Sequence, residues 1–438
     1  METLEKMIDS INGLLWGPPL LFILFGTHLF LTARLGFIQK RLGHALRLTF
    51  SRGSGEGDVS HFGALMTALA ATIGTGNIVG VATAVSMGGP GAVLWMWLTG
   101  VFGIATKYAE AFLSVKYRVK NAQGQMAGGP MYVLERALGL KWVGMLFAFF
   151  TAVAGLGIGN MVQANSIAGL LKENFSISPL VSGIVLAILT AFVILGGIKS
   201  IAKVCEMLVP GMALFYIIGC IALLVIGSST LLDTIKLIFQ TAFTGHAALG
   251  GILGAGVSEA IRFGIARGLF SNESGLGSAP IAAAAAKTEN PVEQALVSAT
   301  GTFWDTVVIC ALSGLVIVNS GVWQQGLQGA ALTQQVFKTL PGSTHFFLPI
   351  ALFTFVFSTI LGWSYYGEKA AEYLWGSGIV FPYRILWVIA VFAGSVMSLP
   401  LVWGIADMMN ALMALPNLLS LWLLSGLVAR ETAAYYQK

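Results

Sequence analysis

Charge is scarce in this chain. Of 438 residues only 10% are Asp, Glu, Lys or Arg, against about 25% in a soluble domain, and that is too few to cover the surfaces of a water-soluble fold of this length. Cysteine is scarcer: Cys205, Cys220 and Cys310 are the only three. All fall in apolar stretches, which excludes a disulfide framework and a thiolate metal site. The five histidines, His28, His44, His61, His246 and His345, are scattered without an HExxH pair, so no zinc-hydrolase arrangement is present. No Gly-Lys dipeptide occurs, and an ATP-driven pump built on a P-loop is excluded with it. Gly74-Thr75-Gly76 begins like a dinucleotide fingerprint but follows no strand. Met1 to Ser10, with Glu2, Glu5 and Asp9, lacks the basic start of a signal peptide, so the first apolar span is expected to be retained.

What the chain has is apolar length. Hydrophobic residues make up 56% and mean hydropathy is +0.82, which places the chain among all-α polytopic membrane proteins. Stretches near the roughly 20 residues that span a bilayer fall at 14–33, 61–87, 91–115, 142–171, 179–198, 205–227, 250–286, 292–319, 346–367, 380–398 and 400–428. They predict about eleven transmembrane helices. An odd number puts the termini on opposite sides, and Lys and Arg decide which is inside. Arg34, Lys40, Arg41, Arg47, Arg52, Lys116, Arg118, Lys120, Arg430 and Lys438 share one face, whereas the opposite loops hold Lys6, Lys172, Lys236 and Lys338. The N-terminus is therefore expected outside and the C-terminus in the cytoplasm. The net charge of +5 reads as a topology signal facing phospholipid headgroups of the bilayer, not nucleic acid.

Two stretches are broken. Gly74-Thr75-Gly76-Asn77 interrupts the uncharged run from Phe62 to Pro90, and Ser271-Asn272-Glu273-Ser274-Gly275-Leu276-Gly277 interrupts 250–286. Corresponding breaks in two halves point to an internal repeat and a secondary transporter. Residues 1–60 then form an extra N-terminal helix with a basic loop, 61–228 a first group of five spans, 229–249 an external connection, 250–428 a second group of five, and 429–438 a tail. Five spans per group is odd, so the groups are expected to lie inverted relative to one another. Gly227–Gly250, with Leu231, Ile235 and Ile238 at helical spacing, and Ser320–His345 are expected to be partly helical outer lids.

Unwound backbone survives at membrane depth only where protein or a water-filled cavity satisfies it. The first break offers carbonyls from one half-helix and free N–H groups around Asn77 to Gly80 from the other. Carbonyls with hydroxyls coordinate a hard cation such as sodium, and the N–H end receives a carboxylate. An amino acid with a coupled cation fits that polarity; a glycine kink used only for packing is the plainer alternative. In the fourth span Asn160 and Gln163 share a helix face. Gln163 is the better cavity candidate, while for Asn160 an interhelical hydrogen bond stands equally. In the ninth span Ser358, Thr359 and Trp363 fall on one side, the two hydroxyls placed as cation ligands and the indole filling space. Ionisable residues at depth are functional candidates by default, here Glu259, Arg262, Arg267, Glu273, Asp305 and Asp407. Arg262 is expected to bridge to Asp407 as an outer gate. Lys107 and Glu110, at i and i+3, are expected to form a local ion pair. Gly155, Gly157, Gly159, Gly196 and Gly197 are expected to serve close helix packing.

The run Gly88-Gly89-Pro90-Gly91-Ala92-Val93-Leu94-Trp95-Met96-Trp97-Leu98-Thr99-Gly100-Val101-Phe102-Gly103, followed by Ala105-Thr106-Lys107-Tyr108-Ala109-Glu110, resembles the signature of the alanine or glycine:cation symporter family. Gly268-Leu269-Phe270-Ser271-Asn272-Glu273 and Gly275-Leu276-Gly277-Ser278-Ala279-Pro280-Ile281-Ala282 look like its second hallmark. Departures are Leu94 where Phe is expected, Gly100 where a slightly larger residue is usual, and Ala283 where many members have His. The resemblance covers essentially the whole chain. It implies a leucine-transporter-like fold of five-plus-five inverted repeats in a prokaryotic plasma membrane, and sodium-driven uptake of small neutral amino acids with no organic cofactor.

By matching position, Thr75, Gly76 and Asn77 look like substrate-backbone contacts, Gln163 a polar wall, Phe270 an aromatic lid, and Thr359 with Trp363 the side-chain end of the pocket. Thr72, Ser358 and Thr359 look like sodium ligands. A proton-coupled or a glutamine- or serine-preferring symporter is the nearest alternative. A substrate-gated channel would need a continuous polar pore, and an intramembrane enzyme a nucleophile with a base. Alanine, glycine, D-alanine, serine and glutamine are left unranked, as is the oligomeric state.

Overall fold

The computed structural model describes residues 2–51, 53–244, 256–340, 344–397 and 400–437. In chain order the helices are α1 (Glu2–Leu15), α2 (Pro18–Arg34), α3 (Leu42–Thr49), α4 (His61–Thr72), α5 (Val81–Gly88), α6 (Gly91–Lys116), α7 (Pro130–Leu138), α8 (Lys141–Leu156), α9 (Val162–Phe175) and α10 (Pro179–Ile194). They continue as α11 (Gly197–Ile226), α12 (Leu231–Thr244), α13 (Val257–Asn272), α14 (Pro280–Ala283), α15 (Pro291–Thr302), α16 (Ala311–Asn319), α17 (Gly329–Phe337), α18 (Thr344–Trp375), α19 (Val380–Val396) and α20 (Pro400–Gln437). Strands β1 (Val119–Lys120) and β2 (Met126–Ala127) pair antiparallel.

Helix starts follow local chemistry. Ser60 caps α4 by accepting from the Gly63 N–H at 2.9 Å, and Asn290 caps α15 by accepting from Val292 N–H at 2.9 Å, each satisfying an end group that has no intrahelical partner. Prolines open α2, α7, α10 and α15, where the missing N–H costs nothing. The outward faces of α10, α11 and α19 carry exposed Phe192, Met207 and Phe381, as helices facing lipid do.

Among the described residues seven helical stretches are long and apolar enough to cross a membrane, or eight when His61–Thr72 and Gly76–Gly88, bent by 52°, count as one. Eleven segments were expected. The difference comes from the polar and interrupted ones: α6 carries Lys107, Glu110 and Lys116, α10 has 16 residues, and the stretch expected at 250–286 is continuous only over α13. Residues 245–255, including His246 and the start of that stretch, lie outside the described residues, as do Arg52 and Lys438. The two long connections are partly helical where described, in α12 and α17.

The second break differs from the expectation of two half-helices. After Asn272 the chain turns through Glu273 (φ 55°), Gly275 (φ 91°) and Gly277 (φ 86°) and regains only the four residues of α14. The cause is a set of side chains that bind the unwound backbone. Glu110 Oε1 accepts from the N–H groups of Gly275 (2.9 Å) and Gly277 (3.1 Å), and Asn417 Nδ2 donates to the Gly275 carbonyl (2.9 Å) and to the same Glu110 oxygen (2.7 Å).

Candidate functional site

The first break is held open from inside the protein. Gly74 N–H donates to Asn77 Oδ1 at 2.8 Å, and Asn77 Nδ2 donates to Asp305 Oδ1 at 2.7 Å, to the Asp305 carbonyl at 3.2 Å and to Cys310 Sγ at 3.3 Å. The Asn77 side chain is thereby occupied, and what this residue offers a ligand is backbone. Asp305 Oδ2 accepts from Ser271 Oγ at 2.9 Å and from Thr306 Oγ1 at 2.6 Å, so one fully buried carboxylate ties the first break to the second. Close approach requires glycine here: a Cβ on Gly76 would sit 3.2 Å from Ser271 Cα, and one on Gly74 2.6 Å from Thr359 Oγ1.

Between the breaks lies a cavity of about 20 Å³, room for about one water. Thr72, Thr75, Gly76, Gln163, Phe270, Thr359 and Trp363 all line it, whereas Asn77 and Ser358 stand behind its wall. Sequence reasoning missed two of its members in this role, Glu273 and Asn410. Glu273 accepts from Trp363 Nε1 at 3.0 Å and from Ser278 Oγ at 2.5 Å, which fixes the indole over the cavity. Gln163 Nε2 donates to the Ile158 carbonyl at 2.9 Å, while Gln163 Oε1 and Asn410 Oδ1 are buried without a partner. Two orphaned acceptors at one small cavity await a donor, because burying a polar atom unpaired is costly. Asn160 takes the other of its two readings: it donates to the Trp387 carbonyl at 2.9 Å, an interhelical tie.

Thr75, Gly76 and Phe270 line both this small cavity and a larger one of about 430 Å³, which Thr83, Asn165, Arg267 and Trp403 line as well. Among the candidate cation ligands, Thr72 Oγ1 donates to the Ala68 carbonyl (3.2 Å), Ser358 Oγ to those of Phe355 (2.8 Å) and Ala70 (3.2 Å), and Thr359 Oγ1 to that of Phe355 (3.0 Å). Each hydroxyl gives its proton to backbone and keeps lone pairs, which is the donor set a hard cation takes. Among the described residues no cluster of His, Cys, Asp and Glu has the form of a transition-metal site.

The profile of the sodium:alanine symporter family matches residues 1–438. The chain belongs to the sodium:alanine symporter family. It is 53% identical to the sodium/alanine symporter AgcS of Methanococcus maripaludis over 98% of this chain and 97% of that protein. It is 37% identical to the amino-acid carrier protein AlsT of Bacillus subtilis, over 98% and 92%. In fold it is similar to a crystal structure of a mutant manganese transporter of Eremococcus coleocola, with a TM-score of 0.53 at 12% identity, covering 86% of this chain and 81% of that one. As a sodium:alanine symporter the chain is a multi-pass membrane carrier, not an enzyme, and sodium is its coupling ion with no organic cofactor.

Two ion pairs expected in this symporter are arranged otherwise. Arg262 pairs with Glu259, one turn away, at 3.9 Å, and stacks near the Phe263 ring at 5.4 Å. Arg262 and Asp407 line one cavity of about 210 Å³ without forming an ion pair, and the cation whose field acts on Asp407 is Arg267. Helical neighbours three apart meet more readily than residues on different helices. Lys107 and Glu110 likewise form no ion pair, because Glu110 is drawn to the second break.

Away from the cavities, Arg118 ties two loops together. Its guanidinium donates to the carbonyls of Ala284 (2.9 Å), Ala286 (2.7 Å), Glu56 (2.8 Å) and Thr288 (2.8 Å). Beneath it Asp58 N–H bonds the Ala285 carbonyl at 2.7 Å and Lys287 N–H the Val59 carbonyl at 2.8 Å. The sequence marked Arg118 only as one of many basic loop residues.

Proposed function

We propose that this symporter imports alanine and glycine together with sodium by alternating access, through eleven spans arranged as one extra N-terminal helix and two inverted repeats of five. The observation that carries this reading is the small cavity between the two breaks, lined by Thr75, Gly76, Gln163, Phe270, Thr359 and Trp363. Its size selects a small side chain. Its chemistry suits a zwitterion: the substrate carboxylate meets the N–H end of the first break, and its ammonium donates to the unpaired Gln163 Oε1 and Asn410 Oδ1. Sodium sits on the lone pairs of Thr72, Ser358 and Thr359, beside the carbonyl end of α4. With the N-terminus outside, the 430 Å³ cavity is the outer vestibule and Arg118 bars the cytoplasmic side.

A cavity of one water's size must expand to admit alanine, so bound sodium and substrate are expected to widen the site together. Sodium then raises amino-acid affinity, and by linkage the amino acid raises sodium affinity equally. The test is uptake into proteoliposomes under an inward sodium gradient, with a competition panel of alanine, glycine, serine, glutamine and D-alanine. Accumulation of alanine above its outside concentration is expected, with glycine as the best competitor. Accumulation driven by a proton gradient alone, or glutamine outcompeting alanine, would replace this reading by the proton-coupled or the glutamine-preferring one.

A further inference from the structure

Lys107 is 4% exposed, and its Nζ has no hydrogen-bond partner. A buried ammonium without a partner is rare enough to need an explanation. It borders a cavity of about 10 Å³ with Thr72, Asn272 and Ser298, about the size of a single water. Thr72 is the last residue of α4 and Asn272 the last of α13, so the C-terminal ends of both broken helices converge on this lysine. Those ends carry partial negative charge from their unpaired carbonyls. Three buried carboxylates, Glu110, Glu273 and Asp305, lie within its field, as does His28 on α2. Glu110 holds unwound backbone of the second break, Glu273 holds the Trp363 indole of the site, and Asp305 holds the Asn77 side chain that in turn binds Gly74 N–H.

We propose that the Lys107 ammonium is a resident cation of the polar core that sets the affinity for transported sodium; this rests on the reading that sodium sits at Thr72, Ser358 and Thr359. Both cations are drawn by the same helix ends and carboxylates, and Thr72 lines the lysine cavity as well as the substrate cavity. The lysine is tethered and sodium is not. With sodium gone, Lys107 keeps the anionic junction neutralised so that the empty carrier holds together; with sodium present, repulsion keeps binding weak enough for release into the cytoplasm. A unit charge about 10 Å away, at an effective dielectric constant of about 20, changes an ion's affinity by about tenfold.

The experiment is equilibrium binding of alanine to the purified full-length protein across a sodium titration. In Lys107→Met the half-saturating sodium concentration is expected to fall about tenfold, while Lys107→Arg stays within about twofold. Ser298→Asp places a carboxylate in the same cavity and is expected to shift sodium in the same direction, so it carries the test if Lys107→Met does not fold. An unchanged or raised sodium requirement in the folded variant overturns the proposal. Ser358→Ala separates the two readings: its sodium requirement must rise if the ion sits there. A rise in Ser358→Ala with no fall in Lys107→Met rejects the lysine's role alone, and no change in Ser358→Ala rejects the sodium position itself.

Discussion

The two ends of the broken helices are closed in different ways. On one side, Phe270, Thr75 and Gly76 border both the small cavity and a cavity of about 430 Å³, so side chains of the described residues, Phe270 the bulkiest, separate the two. On the other side, before the start of α4, the contact is made of backbone: the loop at Glu56 to Val59 runs beside Ala284 to Thr288, and Arg118 binds carbonyls of both. A ring swings by rotating about two bonds, whereas the Arg118 seal parts only when several charge-assisted hydrogen bonds break together. On the proposed reading, the vestibule side is the readily opened one and the Arg118 side sets the barrier to release.

Breaking the stronger seal should have the largest effect. Hydrogen bonds from a charged donor are worth about 1.5–3 kcal/mol each, so Arg118→Ala is expected to lower sodium-driven alanine accumulation about 100-fold. It should also make the thiol introduced by Ala284→Cys reactive to a reagent added from the cytoplasmic side. The three native cysteines are buried and give little background; an introduced thiol that stays unreactive beside normal accumulation would remove Arg118 from gating. Trp363→Ala comes next, since it deletes a side chain that fills the site and leaves Glu273 Oε1 short of a donor. Alanine uptake is expected to fall about 30-fold while leucine or methionine becomes a substrate, and unchanged exclusion of large amino acids would end the argument for Trp363 in specificity.

Gln163→Leu probes the site between the seals. Because Gln163 Oε1 has no partner within the protein, its loss should leave thermal stability unchanged or slightly raised, while KM for alanine rises about tenfold. A loss of stability without a change in KM would make Gln163 a structural residue. The smallest effect is expected at the neighbouring cavity of about 210 Å³, where Arg262 is half-exposed and paired within its own helix; such pairs are worth about 0.3–0.5 kcal/mol, so Arg262→Gln should keep uptake within about twofold. Arg267→Gln, which strips Asp407 of the cation acting on it, should cost more. Equal effects of the two would restore Arg262 to the gate.

The breaks and the cavity wall were legible because membrane depth makes polarity rare. A glycine-threonine-asparagine run in an uncharged stretch, or a glutamine in an apolar helix, stands out without any knowledge of its partners. What stayed hidden were the partners. Glu110 meets Asn417 across 307 residues of sequence, and nothing local distinguishes Glu110 from the acid of an i,i+3 pair with Lys107. Asn410 lies in the 38-residue helix α20, whose depth and rotation depend on everything it packs against. The second half of the second break, Ile281 to Ala286, is apolar and alanine-rich, a composition with high helix propensity. Hydrogen bonds from Glu110 and Asn417 to the glycines before it override that preference.

Three helices near the site each contain a widened π-helical stretch, at Gly76–Gly80, Gly157–Met161 and Phe303–Cys310. Such a turn holds one residue more than an α-helix needs, so each is in effect an insertion that the helix has absorbed instead of expelling as a loop. Every side chain downstream is therefore offset by that single residue. Deleting Gly157 would return the helix to a regular ladder and turn Gln163 by about 100° relative to α8, away from Trp363 and the cavity. The placement of Gln163 at the cavity wall thus depends as much on how many residues precede it as on the residue itself.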